Sequence, residues 1–164
     1  MGEERIDLPK LQGHHCFACG TANPKGLDLH FYRYGETICT DITLDRHHEG
    51  WENVAHGGIL STLLDETMSW TIIFFRRIFF VTRKMEIKYI RPVPIGVPLT
   101  IKGQIADDST PPIIKAKAEI LSGDGHLMVR SVGEFVVVPE EKLSMVPEGL
   151  KKDMNELFER LPSP

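Results

Sequence analysis

The sequence lacks most of the features that mark specialised proteins. It carries no internal repeat and no low-complexity tract. Its 19 basic and 23 acidic residues, net charge -4, form no long block of either sign. The basic face that nucleic-acid binding usually requires is therefore missing, and no nucleic-acid partner is expected. Long apolar runs are also absent. The strongest, Trp70 to Phe75, is broken by Arg76-Arg77 before Ile78 to Val81, too short for a span of ~20 residues. The opening "MGEERIDLPK" has no apolar segment of the secretory type. Met1-Gly2 invites a myristoylation reading, but Ile6 stands where Ser or Thr is usual, and the reading is set aside. Cysteine is scarce: Cys16, Cys19 and Cys39 are all there are. An odd, low count points to a reducing, cytoplasmic setting rather than a disulfide framework.

What remains is an ordinary globular composition, 41% hydrophobic and 26% charged. The length, 164 residues, suits one domain with a real core. Residues 1–26 read as a lead-in, with 1–15 poorly packed and a turn at Asn23 to Gly26. Residues 27–139 form the body, and 140–164 a helical tail. In the body, Leu27, Leu29 and Phe31 alternate with Asp28 and His30, and Ile38, Ile42 and Leu44 lie beyond a turn at Gly35-Glu36. This predicts two strands in a hairpin. Residues 45–53, "DRHHEGWEN", read as a polar loop. Ile59, Leu60, Leu63, Leu64, Thr67, Met68 and Thr71 then keep helical spacing, predicting a helix from Gly57 to Phe75 with one broad buried face.

Strand patterns return at "TRKMEIKYIRPV", "VPLTIKGQIAD" and the two halves of "IIKAKAEILSGDGHLMVRSVGEFVVV", whose Asp124-Gly125 suits a hairpin turn. Prolines fall at strand ends, where they cost no ladder bonds. The spacing of Leu150, Met154, Leu157, Phe158 and Leu161 predicts the tail helix. Short turns make the late strands antiparallel neighbours, and a sheet needs one face covered. The result is an α+β layout, a sheet wrapped around one long helix.

That helix opens oddly, on His56-Gly57-Gly58, and sets Asp65 two turns inside. The first amides of a helix lack internal partners and carry the positive end of its dipole. Glycine lets a ligand approach them, so the start of the helix can receive a polarised carbonyl or an oxyanion. The glycines can equally serve only a tight turn. Asp65 lies eight residues beyond Gly57, about 12 Å along the axis, and cannot act on a group held there. A two-fold dimer with antiparallel helices would bring the two together between chains. Asp65 then reads as a partly buried acid. Glu66, about 100° around the helix, reads as the weaker candidate, with a solvated face as its plain alternative.

"AHGGILSTLLDE", preceded by "CFACGTANPKGLDLHF" and followed by "IKYIRPVPIGVPL", resembles the hotdog-fold acyl-CoA thioesterases, in the branch related to phenylacetate-pathway enzymes. The resemblance runs from Cys16 to Val138. It implies the hotdog fold: a curved antiparallel sheet around a central helix, in a homodimer that often pairs into a homotetramer. It implies hydrolysis of an acyl-coenzyme A thioester, with no cofactor and no metal. The amide of Gly57 would polarise the thioester carbonyl. Asp65 of the partner chain would serve as general base or nucleophile, and Thr82 would hold the water. His56, Gly58, Glu49, Asn53 and Glu66 are the candidate substrate-binding residues. Relatives carry Asn or Gln seven residues before the first glycine, where this chain has Gly50.

Other clusters have plainer readings. Cys16 and Cys19 with His14 and His15 suggest zinc, but zinc sites usually gather two separated pairs and no second Cys pair exists. A thioredoxin-like pair would want a βαβ context. His47-His48 read as solvent-facing. Lys88, Arg91 and Lys115 could meet coenzyme A phosphates or be ordinary strand-surface charges. Phe74, Phe75, Phe79 and Phe80 could line an acyl pocket or pack in the core. A non-catalytic acyl-ligand sensor on the same fold is the alternative function. A dehydratase would want a His paired with an acid or Asn in a different helix motif.

Overall fold

The computed structural model describes residues 3–164; Met1-Gly2, and with them the myristoylation reading, lie outside the described residues. Strands are β1 (Arg5–Asp7), β2 (Phe31–Tyr34), β3 (Thr37–Thr43), β4 (Glu49–Trp51), β5 (Val54–Ala55), β6 (Phe80–Tyr89), β7 (Pro98–Thr110), β8 (Ile113–Ser122) and β9 (Leu127–Val137). The helices are α1 (Gly57–Arg76) and α2 (Glu148–Arg160). Seven strands form one antiparallel sheet in the order β1-β2-β3-β7-β8-β9-β6, and β4-β5 make a small separate ribbon. Helix α1 packs on β3, β7, β8 and β9. This is the hotdog fold that the sequence leads one to expect. No helix among the described residues is long and apolar enough to cross a membrane.

The strands that face α1 alternate cleanly. Leu99, Ile101 and Gly103 of β7, Ile114, Ala116, Ala118 and Ile120 of β8, and Val129, Ser131, Gly133 and Phe135 of β9 are all buried. Their neighbours Lys102, Lys115, Lys117, Glu119 and Arg130 face water. Register explains where the helix sits. Gly103 pairs with Ala118, which pairs with Ser131, and Ala116 pairs with Gly133. These small residues form a shallow trough across the sheet. Above it lie Leu63, Leu64, Thr67, Met68 and Thr71, buried on α1. Thr67 and Thr71 return their hydroxyls to the carbonyls of Leu63 and Thr67, at 2.7 Å each, so the tight contact leaves neither hydroxyl unsatisfied.

Three local expectations need correction. Residues 3–15 are not loosely packed: β1 pairs with β2, Leu8 is buried, and the Lys10 ammonium donates to Asp28 at 2.7 Å. The strand expected from Leu27 starts only at Phe31. Asp28 adopts a left-handed φ of 47° to reach Lys10, and this breaks the extended run. The loop expected at 45–53 contains a 3-10 turn at Arg46–His48, capped by Asp45, and the β4-β5 ribbon. The tail helix buries Leu157 and Phe158, with Phe158 edge-on to Phe79.

The trough is tight enough to test. A Cβ on Gly103 would lie 2.4 Å from Thr71 Oγ1 and 3.0 Å from the Thr67 carbonyl oxygen. Gly103→Ala should therefore lower the unfolding free energy by about 1–3 kcal/mol, the usual cost of overpacking. A chemical-denaturation midpoint measures it, and an unchanged midpoint would show that α1 does not approach the sheet this closely.

Candidate functional site

The start of α1 is held from several sides. The Ala55 amide donates to the Val93 carbonyl and the His56 amide to the His48 carbonyl, both at 2.8 Å. His56 is the N-cap, in extended conformation, and its Nδ1 accepts from the Gly58 amide at 2.8 Å. The Gly58 donor is thereby engaged within the loop. The Gly57 amide has no acceptor among the described residues. Tyr89 of β6 stands over it. The Tyr89 hydroxyl donates to the Gly57 carbonyl at 3.0 Å, the Ser61 hydroxyl does so at 2.8 Å, and the two hydroxyl oxygens are 2.9 Å apart. The Gly57 carbonyl is thus anchored while its amide stays available.

Glu49 and Asn53 belong to the ribbon beside this helix start. Glu49 accepts from the Asn53 amide at 3.3 Å, and Asn53 takes a left-handed φ of 62° in the turn. Both serve the turn that brings the chain back to His56. At Gly50, a Cβ would lie 3.0 Å from the His56 Cα. The position is therefore crowded by the loop it borders, which fits a residue with no side chain.

Asp65 and Thr82 are together. The Thr82 hydroxyl donates to Asp65 Oδ1 at 3.0 Å. A β-bulge in the pairing of β6 with β9, between Thr82 and Lys84, sits beside this contact, and bulges commonly aim a side chain at a site. Asp65 is half-buried. Burial pushes its carboxyl above the ordinary value, the Thr82 hydrogen bond opposes this, and negative charge at Cys16 adds to the rise. Gly57 and Asp65 stay apart on one helix, about 12 Å along its axis.

Glu66 departs from the solvated-face reading. It is half-buried and turned towards the loop carrying Cys16 and Cys19. Burial raises its carboxyl to about 7, against a hydrogen bond from Cys19. Cys16 Sγ lies 3.8 Å from Glu66 Oε1. The Cys19 thiol, hydrogen-bonded to Cys16, pulls the Cys16 thiol down, and the same contact with burial pushes Cys19 up. Tyr89, Ser61 and this thiol–carboxylate group were not singled out by the motif. Tyr89 could have been found from strand polarity, because it lies on the strand after the helix, seven residues past Thr82.

The other candidates take their plainer roles. Lys88 and Lys115 are exposed on the sheet, and Arg91 is exposed in the bend after β6. Phe74 is fully buried, Phe75 packs edge-on against it, and Phe80 packs edge-on against Phe135. His47 is exposed, while His48 is half-buried, its Nδ1 accepting from the Asp45 amide at 3.2 Å.

Residues 52–107 match the family model described as "Thioesterase superfamily". No curated protein matches the chain in sequence. Among solved structures, one thioesterase-superfamily protein aligns at TM-score 0.70 and 22% identity over 78% of this chain. This chain spans 66% of that protein's length, just under two thirds. The PaaI protein of the Escherichia coli phenylacetic acid degradation operon aligns at TM-score 0.63 and 18% identity, over 69% of this chain and 81% of its own. A hypothetical thioesterase from Streptococcus pneumoniae, solved with coenzyme A, aligns at TM-score 0.58 and 20% identity, over 63% of this chain and 82% of its own. At these identities the structural matches speak to the fold.

The N-cap separates a loop role for His56 from contact with a ligand. His56→Ala should cost about 1 kcal/mol of stability, as loss of a helix cap does, and His56→Asn should restore most of it. Urea denaturation of the three proteins reads the difference; equal midpoints would leave the imidazole without a capping role.

Proposed function

We propose that this chain, which shares the hotdog fold of thioesterase-superfamily structures and matches the thioesterase-superfamily model over residues 52–107, hydrolyses an acyl-coenzyme A thioester to the free acid and coenzyme A. One observation carries this reading. A half-buried carboxylate, Asp65, is held by the Thr82 hydroxyl at 3.0 Å, on the same helix whose first amide, at Gly57, has no partner among the described residues. The coenzyme A bound to the Streptococcus pneumoniae relative supports the ligand class.

The chemistry asks little of the protein. The Gly57 amide, at the positive end of α1, donates to the thioester carbonyl oxygen and stabilises the negative charge that builds there. Asp65 takes a proton from the attacking water, or attacks the carbonyl itself to form a mixed anhydride that water then hydrolyses to the free acid and Asp65. Thr82 orients the carboxylate by its hydrogen bond. The tetrahedral adduct collapses, the carbon–sulfur bond breaks, and coenzyme A leaves as a thiolate that picks up a proton. A thioester is already activated, so general-base help of about 10²–10⁴-fold, added to the amide's pull, is adequate.

The two groups meet between chains. Strand β6 runs against α1, with Thr82 beside Asp65 and Tyr89 beside Gly57. It also pairs on one side only, with β9, leaving a ten-residue edge that carries exposed Val81 and Tyr89. Such an edge is a template for another strand. Antiparallel pairing of β6 with a second copy, centred between Met85 and Glu86, sets Thr82 of one chain opposite the partner's Tyr89. Each Gly57 amide then faces the partner's Asp65, giving two equivalent sites in a two-fold dimer.

A thiol-release assay over an acyl-CoA panel tests the activity. Asp65→Ala should lower kcat by about 10²–10⁴-fold. Thr82→Val should lower it by about tenfold, the worth of one hydrogen bond. Full activity in Asp65→Ala would remove the base from its role. No release from any substrate, with tight acyl-CoA binding, would favour the sensor reading.

Mixed dimers test the shared site. Gly57→Pro deletes the amide hydrogen at the first helical position, where proline is tolerated, and His56 already has the extended ψ of 132° that a following proline needs. Each variant alone should be strongly impaired. Co-refolded Gly57→Pro and Asp65→Ala chains should regain part of the wild-type rate, because one of the two sites in a mixed dimer has both groups intact. No recovery would count against the site shared between chains.

A further inference from the structure

The group formed by Cys16, Cys19 and Glu66 is not used by the proposed hydrolysis. The loop that carries the two cysteines is folded back on itself. The Gly20 amide donates to the Cys16 carbonyl at 2.9 Å and the Ala22 amide to the His14 carbonyl at 3.0 Å. A Cβ at Gly20 would lie 2.5 Å from both the Cys16 nitrogen and the His14 carbonyl oxygen. The turn therefore depends on glycine there. Further amide bonds, Leu27 to the Phe17 carbonyl at 2.8 Å and Leu29 to the Ala18 carbonyl at 2.9 Å, pin the loop to the chain that follows. Both sulfurs end on the side that faces α1, where Glu66 points at them.

The donor set is complete enough to weigh against metal geometry. One ligand atom from each of Cys16, Cys19 and Glu66 lies within 4.8 Å of the others, and Cys16 Sγ is 3.8 Å from Glu66 Oε1. Bond lengths of about 2.3 Å to sulfur and 2.0 Å to oxygen, in a tetrahedron, require ligand atoms roughly 3.5–3.8 Å apart. The present spacing needs to contract by at most about 1.3 Å, within reach of side-chain rotation. The charge also asks for a cation. No Lys or Arg pairs with Glu66 among the described residues. Of the two imidazoles beside Cys16, His14 is engaged with Asp153 at 3.1 Å and His15 is exposed. Buried acidic groups normally have a counter-charge or a metal.

We propose that Cys16, Cys19 and Glu66 form a binding site for a thiophilic divalent cation of the zinc type. Two thiolates and one carboxylate fill three positions and leave the fourth for water or another ligand. The two thiol protons pass to solvent when the metal binds. The missing second cysteine pair is supplied in part by a helix residue, which sequence spacing does not reveal. The metal would clip the loop at residues 14–29 to the middle of α1, one residue from Asp65.

The test uses the full-length protein, reduced and stripped with a chelator. Zinc titration against a chromophoric chelator should show one ion bound per chain, and cobalt(II) should give a thiolate-to-metal charge-transfer band in the near ultraviolet. Zinc should raise Tm, and EDTA should reverse the shift. Cys16→Ser and Glu66→Gln should each weaken zinc binding by at least roughly tenfold, because one of three protein bonds is lost. Circular dichroism of the metal-free variants checks that they fold, and the wild-type titration stands without them. Less than a tenth of an equivalent of zinc bound by reduced wild type would overturn the proposal. So would a cobalt band that survives in the Cys16→Ser/Cys19→Ser double variant. A Cys16–Cys19 disulfide forming in air, with no metal taken up after reduction, would overturn it in favour of a redox pair. Loss of thioesterase activity is no part of this readout, so the outcome is independent of the proposed hydrolysis.

Discussion

The close contact between α1 and the trough of small residues in the sheet holds the other features in place. Gly103, Ala116, Ala118 and Gly133 remove side-chain bulk where the helix crosses. Thr67 and Thr71 fold their hydroxyls back onto the helix so that the contact stays dry and satisfied. With the helix axis set at this depth, Asp65 comes level with Thr82 on β6, and Gly57 comes level with Tyr89. A helix standing farther from the sheet would separate both pairs. Burial energy and site geometry are therefore consequences of the same packing, because densely packed interiors transmit small shifts instead of absorbing them.

The depth of Asp65 and Glu66 sorts them chemically. They are adjacent in sequence, yet they face different neighbours. Asp65 meets a hydroxyl on the edge strand, and Glu66 meets thiols on a loop from the N-terminal segment. Both carboxyls are raised by burial. The hydroxyl leaves Asp65 a free oxygen for a proton, whereas Glu66 is occupied by sulfur.

Much of this was legible in the sequence where one periodicity acted alone. The α1 boundaries, the alternation of Leu99, Ile101 and Gly103, and the Asp124-Gly125 turn follow from local patterning. The Asp65–Thr82 contact was within reach only through the family resemblance, which implies a role for both residues. What was not legible depends on contacts distant in the chain. The three-residue strand at Arg5–Asp7 has no pattern of its own and exists by pairing with β2. Asp28 leaves the extended conformation for Lys10, 18 residues away. Glu66 looks solvated from helix periodicity because the loop that covers it comes from 50 residues earlier. The engaged Gly58 amide shows the same limit on a small scale: two glycines look equivalent until the imidazole before them chooses one.

The C-terminal segment is fastened to several earlier parts of the chain. His14 reaches Asp153 of α2, Arg33 donates to the Ser163 carbonyl, and Arg77, in the left-handed position that ends α1, donates to the carbonyls of Leu161 and Pro162. The cysteine loop, β2 and the end of α1 are thus each tied to α2 or to the residues after it. Local opening should then be shared too: a fluctuation that frees the C-terminal helix also releases the cysteine loop from its His14–Asp153 contact. Events at the far end of the chain acquire a mechanical route to the acid pair on α1, with no contact to either carboxylate.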